Sequence, residues 1–479
     1  MEEFIKKLSE IRNCRIYNDS CSFEDGTSGA VVRLDNIKKL AVAGKEAGLF
    51  SGTEISGIKF CSMDSKNALA LMSVFSYTSP VNHRGKPFTM GLGDRLGCAT
   101  PGHIRAVRKY GVFPVLAQQS IRELNLTKRT FPDVLSAAAY GVFQSGYRDG
   151  YGADGDHLKT KEEIKYALDS GFTMITLDCS AHIDINVAKY GKEEIKSRYE
   201  ALSSDIRKHY EEKYLNCDLP VVGKINSETL MSIVLMFGDA ITHAETCWDY
   251  IKTFNKNVDF ELSIDETLTS TDPAAHYIIA QELIDYGVIL TSIAPHFCGE
   301  FEKGIDYIGN IEDFHREFIQ HEEIAEHFGS YKLSVHSGSD KFSVFSIIGK
   351  ETRGKFHIKT AGTSWLEAMR AVAIHDPDLY RKAHKFALAH QDEARKYYHV
   401  TTSPKDITNI DYQNDAYLPE YLNIACSRQA IHIAYGLLLQ EEWFAKEFNS
   451  FMDSFEEGYY EVLDKHISKH LGLLTGKLL

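Results

Sequence analysis

Asp156 and His157 stand side by side in Gly152-Ala-Asp154-Gly-Asp156-His157-Leu-Lys159, and a further carboxylate, Asp178, lies in Gly171-Phe-Thr-Met-Ile-Thr-Leu-Asp178-Cys-Ser180-Ala-His182. The stretch reads as a polar strand end, a capped amphipathic helix, a glycine turn and a buried β-rich strand. In a βα repeat, successive strand ends open on one face, so Asp156, His157 and Asp178 are expected to converge. An imidazole beside two carboxylates suits a divalent metal with a proton-transfer partner. His296, in Ala294-Pro-His296-Phe, and His336, in Val335-His336-Ser337-Gly338-Ser339-Asp340-Lys341, each follow an apolar run directly. Neutral imidazoles there can share one ion with His157, with Glu266 as a fourth ligand or a nearby base. Gly338 allows close backbone approach, so the amides around it and Lys341 suit an anion.

These residues need a scaffold that brings strand ends together. Short apolar runs alternate with helical stretches at 88–93, 112–117, roughly 146–152, 173–178, 258–264, 288–293, 331–336 and 356–360. That count predicts an α/β fold, a closed (β/α)8 TIM-type barrel. The strand ends in order are Asp94-Arg95, Gln118-Gln119, Asp154 to His157, Asp178, Asp265-Glu266, His296, His336 to Lys341, and Lys359. Residues 1–80 read as an N-terminal decorating segment and 81–364 as the catalytic barrel. An insertion at about 185–255 holds a charged helix near 190–214 and a more apolar one near 228–254. Residues 365–479 read as a helical extension packed on the barrel.

The formal charge of −14 argues against a nucleic-acid partner but not against an anionic small molecule, which a local Lys or Arg pair can hold. Nine scattered cysteines without a C-x-x-C pair fit reduced thiols, and no apolar run reaches a membrane span. A cytoplasmic protein is expected, with its oligomeric state left open. Gly91-Leu-Gly93-Asp-Arg-Leu-Gly97 has the wrong spacing for a dinucleotide fingerprint, and Gln118-Gln119 occupy the place of the ribose-binding acid, so no NAD is expected. His243 falls within a helical stretch and reads as structural, whereas His182, just past Asp178, is a candidate pocket residue.

Asp156-His157, Leu-Asp178-Cys-Ser180-Ala-His182, Ala294-Pro-His296-Phe and His336-Ser-Gly-Ser resemble the zinc-dependent class II aldolase pattern, with Pro295 before the middle histidine and Ser337 where a second glycine is usual. That resemblance implies His157, His296 and His336 as ligands of a divalent ion, zinc first and manganese, cobalt or nickel as alternatives, with Asp156 as proton shuttle. Over its whole length the chain resembles the tagaturonate/fructuronate epimerases, on Gly-Leu-Gly-Asp94-Arg95, Ala-Thr-Pro-Gly-His103, Gly-Asp156-His157-Leu-Lys159, Ala-Pro-His296-Phe and Val-His336-Ser-Gly-Ser-Asp-Lys341. The implied activity is a metal-dependent isomerase of hexuronate catabolism acting on a sugar acid.

The two ketoses differ at the carbon β to the ketone, whose proton the carbonyl does not acidify. Retro-aldol cleavage and re-addition would invert that carbon, and the missing dinucleotide fingerprint counts against transient oxidation. The alternative is a class II-type aldolase that releases its fragments. A sugar-acid binding protein with structural zinc would leave Asp156 and Asp178 without a task. The expected catalytic set is Asp156, Asp178 and Glu266. The substrate contacts are Arg95, His103, Gln119, Arg148, His182, Ser337, Lys341 and Lys359.

Overall fold

The computed structural model of the chain describes residues 1–398 and 400–477. Eight parallel strands close into the expected barrel: β1 (Phe88–Leu92), β2 (Phe113–Gln119), β3 (Gly152–Leu158), β4 (Met174–Asp178), β5 (Asp259–Ile264), β6 (Leu290–Pro295), β7 (Lys332–Val335) and β8 (Phe356–Thr360). Closure comes from β8 against β1, in register from Phe356 opposite Phe88 to Thr360 opposite Leu92. Helices such as Phe131–Gln144, Pro273–Tyr286 and Ile311–Phe328 wrap the outside.

The third strand differs from the expectation of 146–152. Residues 145–151 form a turn, with Gly146 (φ 55°) and Gly150 (φ 84°) in left-handed conformations, and the chain extends only from Gly152. A Gly-Ala-Asp-Gly-Asp-His run has poor strand propensity, but tertiary packing overrides it. Helix Lys161–Asp169 lies so close that a Cβ on Gly155 would come within 2.9 Å of Ala167 and 2.8 Å of Leu158. Asp154 and Asp156 therefore sit inside the strand, two residues apart and on one face. The pairing with β4 shifts register between Ile175 and Leu177, a bulge that holds His157 at φ 56°.

Around this barrel, residues 14–61 build an antiparallel sheet of six short strands. It packs through Val31 and Leu40, with Phe75 from the end of helix Ser65–Val74, onto Phe143 of a barrel helix. In the insertion, the expected charged helix is two helices, Lys192–Glu200 and Ser204–Tyr214, because Ser203 accepts from the Ile206 amide and starts a new helix. The apolar helix spans Ser227–Lys252. The C-terminal region is helical, ending in the long helix Glu442–Thr475, which lies against helices Thr100–Tyr110, Phe342–Glu351 and Thr363–His375.

That last helix, together with helix Ala425–Ile433, clamps the loop after β7. His466 Nε2 lies 2.6 Å from Asp340 Oδ1, Arg428 Nη2 donates to Asp340 Oδ2 at 2.9 Å, and the Asp340 amide donates to His470 Nε2 at 3.0 Å. Burial pushes the Asp340 carboxyl up, but Arg428 and the two histidines outweigh it and hold it well below the usual range. Asp340 and Ser337 both take left-handed φ values, 65° and 50°, which a loop keeps only where its surroundings impose them.

Two glycines test this packing with one substitution of opposite expected sign. A Cβ on Gly349 would lie 1.8 Å from the Leu474 carbonyl oxygen, whereas nothing lies within 4 Å of one on Gly238, inside Ser227–Lys252. Gly349→Ala should cost about 1–3 kcal/mol by overpacking and Gly238→Ala should stabilise by up to about 1 kcal/mol, read as opposite shifts in Tm. Equal shifts would show that the C-terminal helix does not need the close approach.

Candidate active site

At the C-terminal mouth of the barrel lies a cavity of about 380 Å³, within the ordinary size of a small-molecule site. Its wall draws on the strand ends (Asp156, His157, Asp265, Glu266, His296, His336 and Lys359) and on the loop after β2 (Ser120 to Glu123). The loop after β6 adds Glu302 and Lys303, and the C-terminal region adds Tyr397, Tyr398 and His432. The C-terminal region is thus part of the site as well as a support for it.

The floor is a buried charge cluster. The Lys359 ammonium contacts Asp154 Oδ2 at 2.7 Å, Asp156 Oδ1 at 2.9 Å and Glu261 Oε1 at 2.9 Å, and donates to Thr176 Oγ1. Burial alone would strip its proton, but the three carboxylates hold its pKa well above the ordinary lysine value. Burial also pushes the carboxyls up. At Asp156 and Glu261 the Lys359 charge and the histidines win and hold both well below the usual range. At Asp154 burial prevails over Lys359, and the pKa rises to about 6.

Beside this floor, donor atoms of His157, Asp265 and His336 lie within 4.8 Å of one another. His157 Nδ1 is 2.6 Å from Asp156 Oδ1, which orients the ring and leaves Nε2 for another partner. His336 lies between Asp265 Oδ2 (3.1 Å) and Glu261 Oε1 (2.8 Å). Burial opposes protonation of both rings, but the carboxylates outweigh it: His336 rises to about 10, by Asp265 and Glu261, and His157 rises by Asp156. Two imidazoles and a carboxylate fit a borderline divalent ion such as zinc. The charge balance fits as well. Each imidazolium proton that leaves as the dication arrives offsets one of its charges.

His296 and Glu266 line the same cavity but stand outside this group of donors. His296 Nδ1 lies 3.1 Å from Thr267 Oγ1, and Glu266 is exposed at the mouth. Sequence reading named Asp265 only as the neighbour of Glu266. The signal that separates them is strand parity: Asp265 follows Glu261 and Ser263 at intervals of two, on the inward face.

Several expected contacts lie elsewhere. Asp178 does not converge with Asp156 and His157. It accepts from the Ser180 amide (2.8 Å), contacts Lys159 (3.2 Å) and is absent from the cavity wall. Lys341 is fully buried, with Nζ donating to the carbonyls of Glu302, Ile305 and Ser339, and burial lowers its pKa to about 7, so it braces the loop instead of facing a ligand. Arg148 precedes β3 and so falls at the opposite, N-terminal end of the barrel, paired with Glu24 at 3.0 Å. His103 contacts Ser364 Oγ beneath the loops, at 3.2 Å. Gln119 faces away because strand alternation gives the wall to Gln118, and His182 is exposed, stacked on His243 at 3.9 Å. Arg95, Ser337 and Lys359 do line the cavity, as do Arg122, Lys303 and His432, which sequence reading did not single out.

Residues 17–474 match the sequence family described as tagaturonate epimerase. The chain is 38% identical over 475 residues to the tagaturonate/fructuronate epimerase of Thermotoga maritima, covering 97% of this chain and 98% of that one. Crystal structures of the fructuronate-tagaturonate epimerase UxaE from Cohnella laeviribosi, native and with one glycerol, superpose with TM-scores of 0.95 at 46% and 47% identity over 99% of both chains.

The electrostatics make a measurable demand. His336 holds its proton at pH 7, His157 is shifted in the same direction by Asp156, and a ligating imidazole must be neutral, so binding of Zn²⁺ should release at least the His336 proton and strengthen as pH rises toward about 10. Calorimetry in buffers of different ionisation enthalpy counts those protons. A value near zero would exclude His336 as a ligand.

Proposed function

This chain belongs to the tagaturonate epimerase family, and we propose that it interconverts tagaturonate and fructuronate by metal-dependent retro-aldol and aldol steps. The observation that carries the reading is the position of Asp156. It is an ionised carboxylate on the cavity wall, hydrogen-bonded to His157 and ion-paired to Lys359, beside a donor set suited to a divalent ion. Family membership supplies the reaction, and this arrangement supports the route.

The substrates differ at C4 of the 2-ketose, β to the carbonyl. Cleaving C3–C4 sends the bonding electrons into the C1–C3 fragment as an enediolate and turns C4 into an aldehyde, while the C4 hydroxyl loses its proton. A divalent ion held by His157, Asp265 and His336 would supply Lewis-acid polarisation of the ketone. Asp156 is assigned the proton. Its contacts to Lys359 and His157 fall on Oδ1, which leaves Oδ2 without a protein hydrogen bond among the described residues. Once protonated in this field, Asp156 is a strong acid and returns the proton readily after the aldehyde has turned over and the bond re-forms. Lys359 keeps Asp156 ionised between turnovers. The loops and C-terminal residues that line the cavity are assigned the task of slowing fragment escape, which would favour recombination over net cleavage.

Asp156→Asn should retain metal yet lose about 10²–10⁴-fold in turnover. Carbon-13 spectroscopy of labelled tagaturonate follows fructuronate and free three-carbon products together. Near-normal epimerisation by the variant would move the proton-transfer role to another carboxylate of the cavity, with Glu266 the first candidate. Net release of three-carbon products by the unaltered protein would instead establish an aldolase.

A further inference from the structure

We propose that Arg95, Lys303 and Arg122, with His432, form the subsite that holds the substrate's C6 carboxylate and retains the aldehyde fragment while C4 turns over. The proposal rests on the sugar-acid reading above and assigns residues to it. All four line the cavity. The Arg95 guanidinium, 2% exposed, directs Nε and Nη2 to Glu123 Oε1 (2.9 and 2.7 Å) and lies 3.9 Å over the Tyr435 ring. Its Nη1 is buried and has no partner among the described residues. An unpartnered buried donor on a charged group is costly to leave unmade, and in a cavity wall it points to a ligand acceptor.

Among the described residues the Lys303 ammonium makes one hydrogen bond, to Ser337 Oγ at 2.7 Å, and an ammonium has three donors. Burial lowers its pKa, and the positive charges of Arg122 and Arg95 lower it further, so these cations crowd one another with Glu123 as the compensating carboxylate of the group. The neighbouring Glu302 is engaged by the Thr401 amide and the Gln429 side chain. An arriving carboxylate relieves that crowding.

His432 presents two buried ring nitrogens without partners among the described residues. Burial, then the charges of Arg95 and Lys303, keep it neutral, so it offers one donor and one acceptor, a match for the carboxylate and the adjacent C5 hydroxyl. Gly362 makes room for it, since a Cβ there would lie 1.7 Å from His432 Nε2. The contact between Lys303 and Ser337 places this cationic group one residue from His336, so the two halves of the site meet at the loop after β7.

After cleavage, the C4–C6 fragment carries the carboxylate. Holding that end leaves the aldehyde carbon free to present its other face without the fragment leaving. The reaction itself needs no further residue for this, and no carbon–carbon bond beyond C3–C4 is broken.

The test is calorimetric binding of D-tagaturonate and of neutral D-tagatose to the full chain and to Lys303→Gln, Lys303→Arg and Arg122→Gln, with Tm as the control for folding. Lys303→Gln should raise the uronate Kd about tenfold or more, as expected for one lost charge-assisted bond, with tagatose affinity unchanged. Lys303→Arg should retain most of the affinity, and Arg122→Gln, on an exposed side chain, should weaken uronate binding alone. A uronate Kd within about threefold of the unaltered protein in both Gln variants, or an equal loss for the neutral sugar, would overturn the subsite. Tight, charge-selective binding without interconversion by the unaltered protein would leave the subsite standing and refute the epimerase reading.

Discussion

The barrel interior depends on one buried ammonium. Lys359 enters from β8 and neutralises Asp154 and Asp156 on β3 and Glu261 on β5, groups that would otherwise repel one another where water does not reach. Burying a charge is unfavourable unless it is paired and hydrogen-bonded, and removing one member of such a set leaves the others uncompensated, at about 3–5 kcal/mol. The same pairing keeps Asp156 an acceptor and places Glu261 against His336. Barrel closure and the chemistry of the mouth therefore share an ion cluster, which explains why so many charges are tolerated inside a fold whose centre is ordinarily apolar.

Around that centre, backbone strain aims the side chains. A bulge in β3 turns His157 at positive φ, and the loop after β7 holds Ser337 and Asp340 in the same region of conformational space. Neither would persist in isolation. The first is fixed by pairing with β4, the second by Arg428, His466 and His470 from the C-terminal region and by the buried Lys341. The helical extension is thus tied to the barrel at the segment next to His336, and it also contributes His432 to the wall.

The cavity has two chemical characters, carboxylates and imidazoles on one part of its wall, arginines and lysine on another. That division suits a substrate with a ketone to polarise and a remote anion to hold. It also bears on the distinction between epimerase and aldolase. By the proposed retro-aldol route both break the same bond, and the outcome turns on whether the charged fragment stays long enough to present its second face.

Much of this was legible in the linear chain. Apolar runs recurring between helical stretches gave the barrel and seven of its eight strands close to their places, and the motifs around Asp156, His157, His296 and His336 pointed to one mouth. The family was legible too, from motifs spread over the chain. Local periodicity carries that information because strand ends of a βα repeat must open on one side. Which way a side chain points, and what charge it meets, is not local. Asp156 and Lys359 are 203 residues apart, so no spacing announced their ion pair. Lys341 looked like an anion ligand until its carbonyl partners 36 and 39 residues away enclosed it. A strand start displaced to Gly152 sent Arg148 to the wrong end of the barrel and drew Asp154 and Asp156 inside it. The sequence by itself determined the architecture and the residue types at the mouth, because these follow from periodicity and strand order. The tertiary structure alone decided which of them face the cavity and in what protonation state, because burial and charge pairing arise only when distant segments meet.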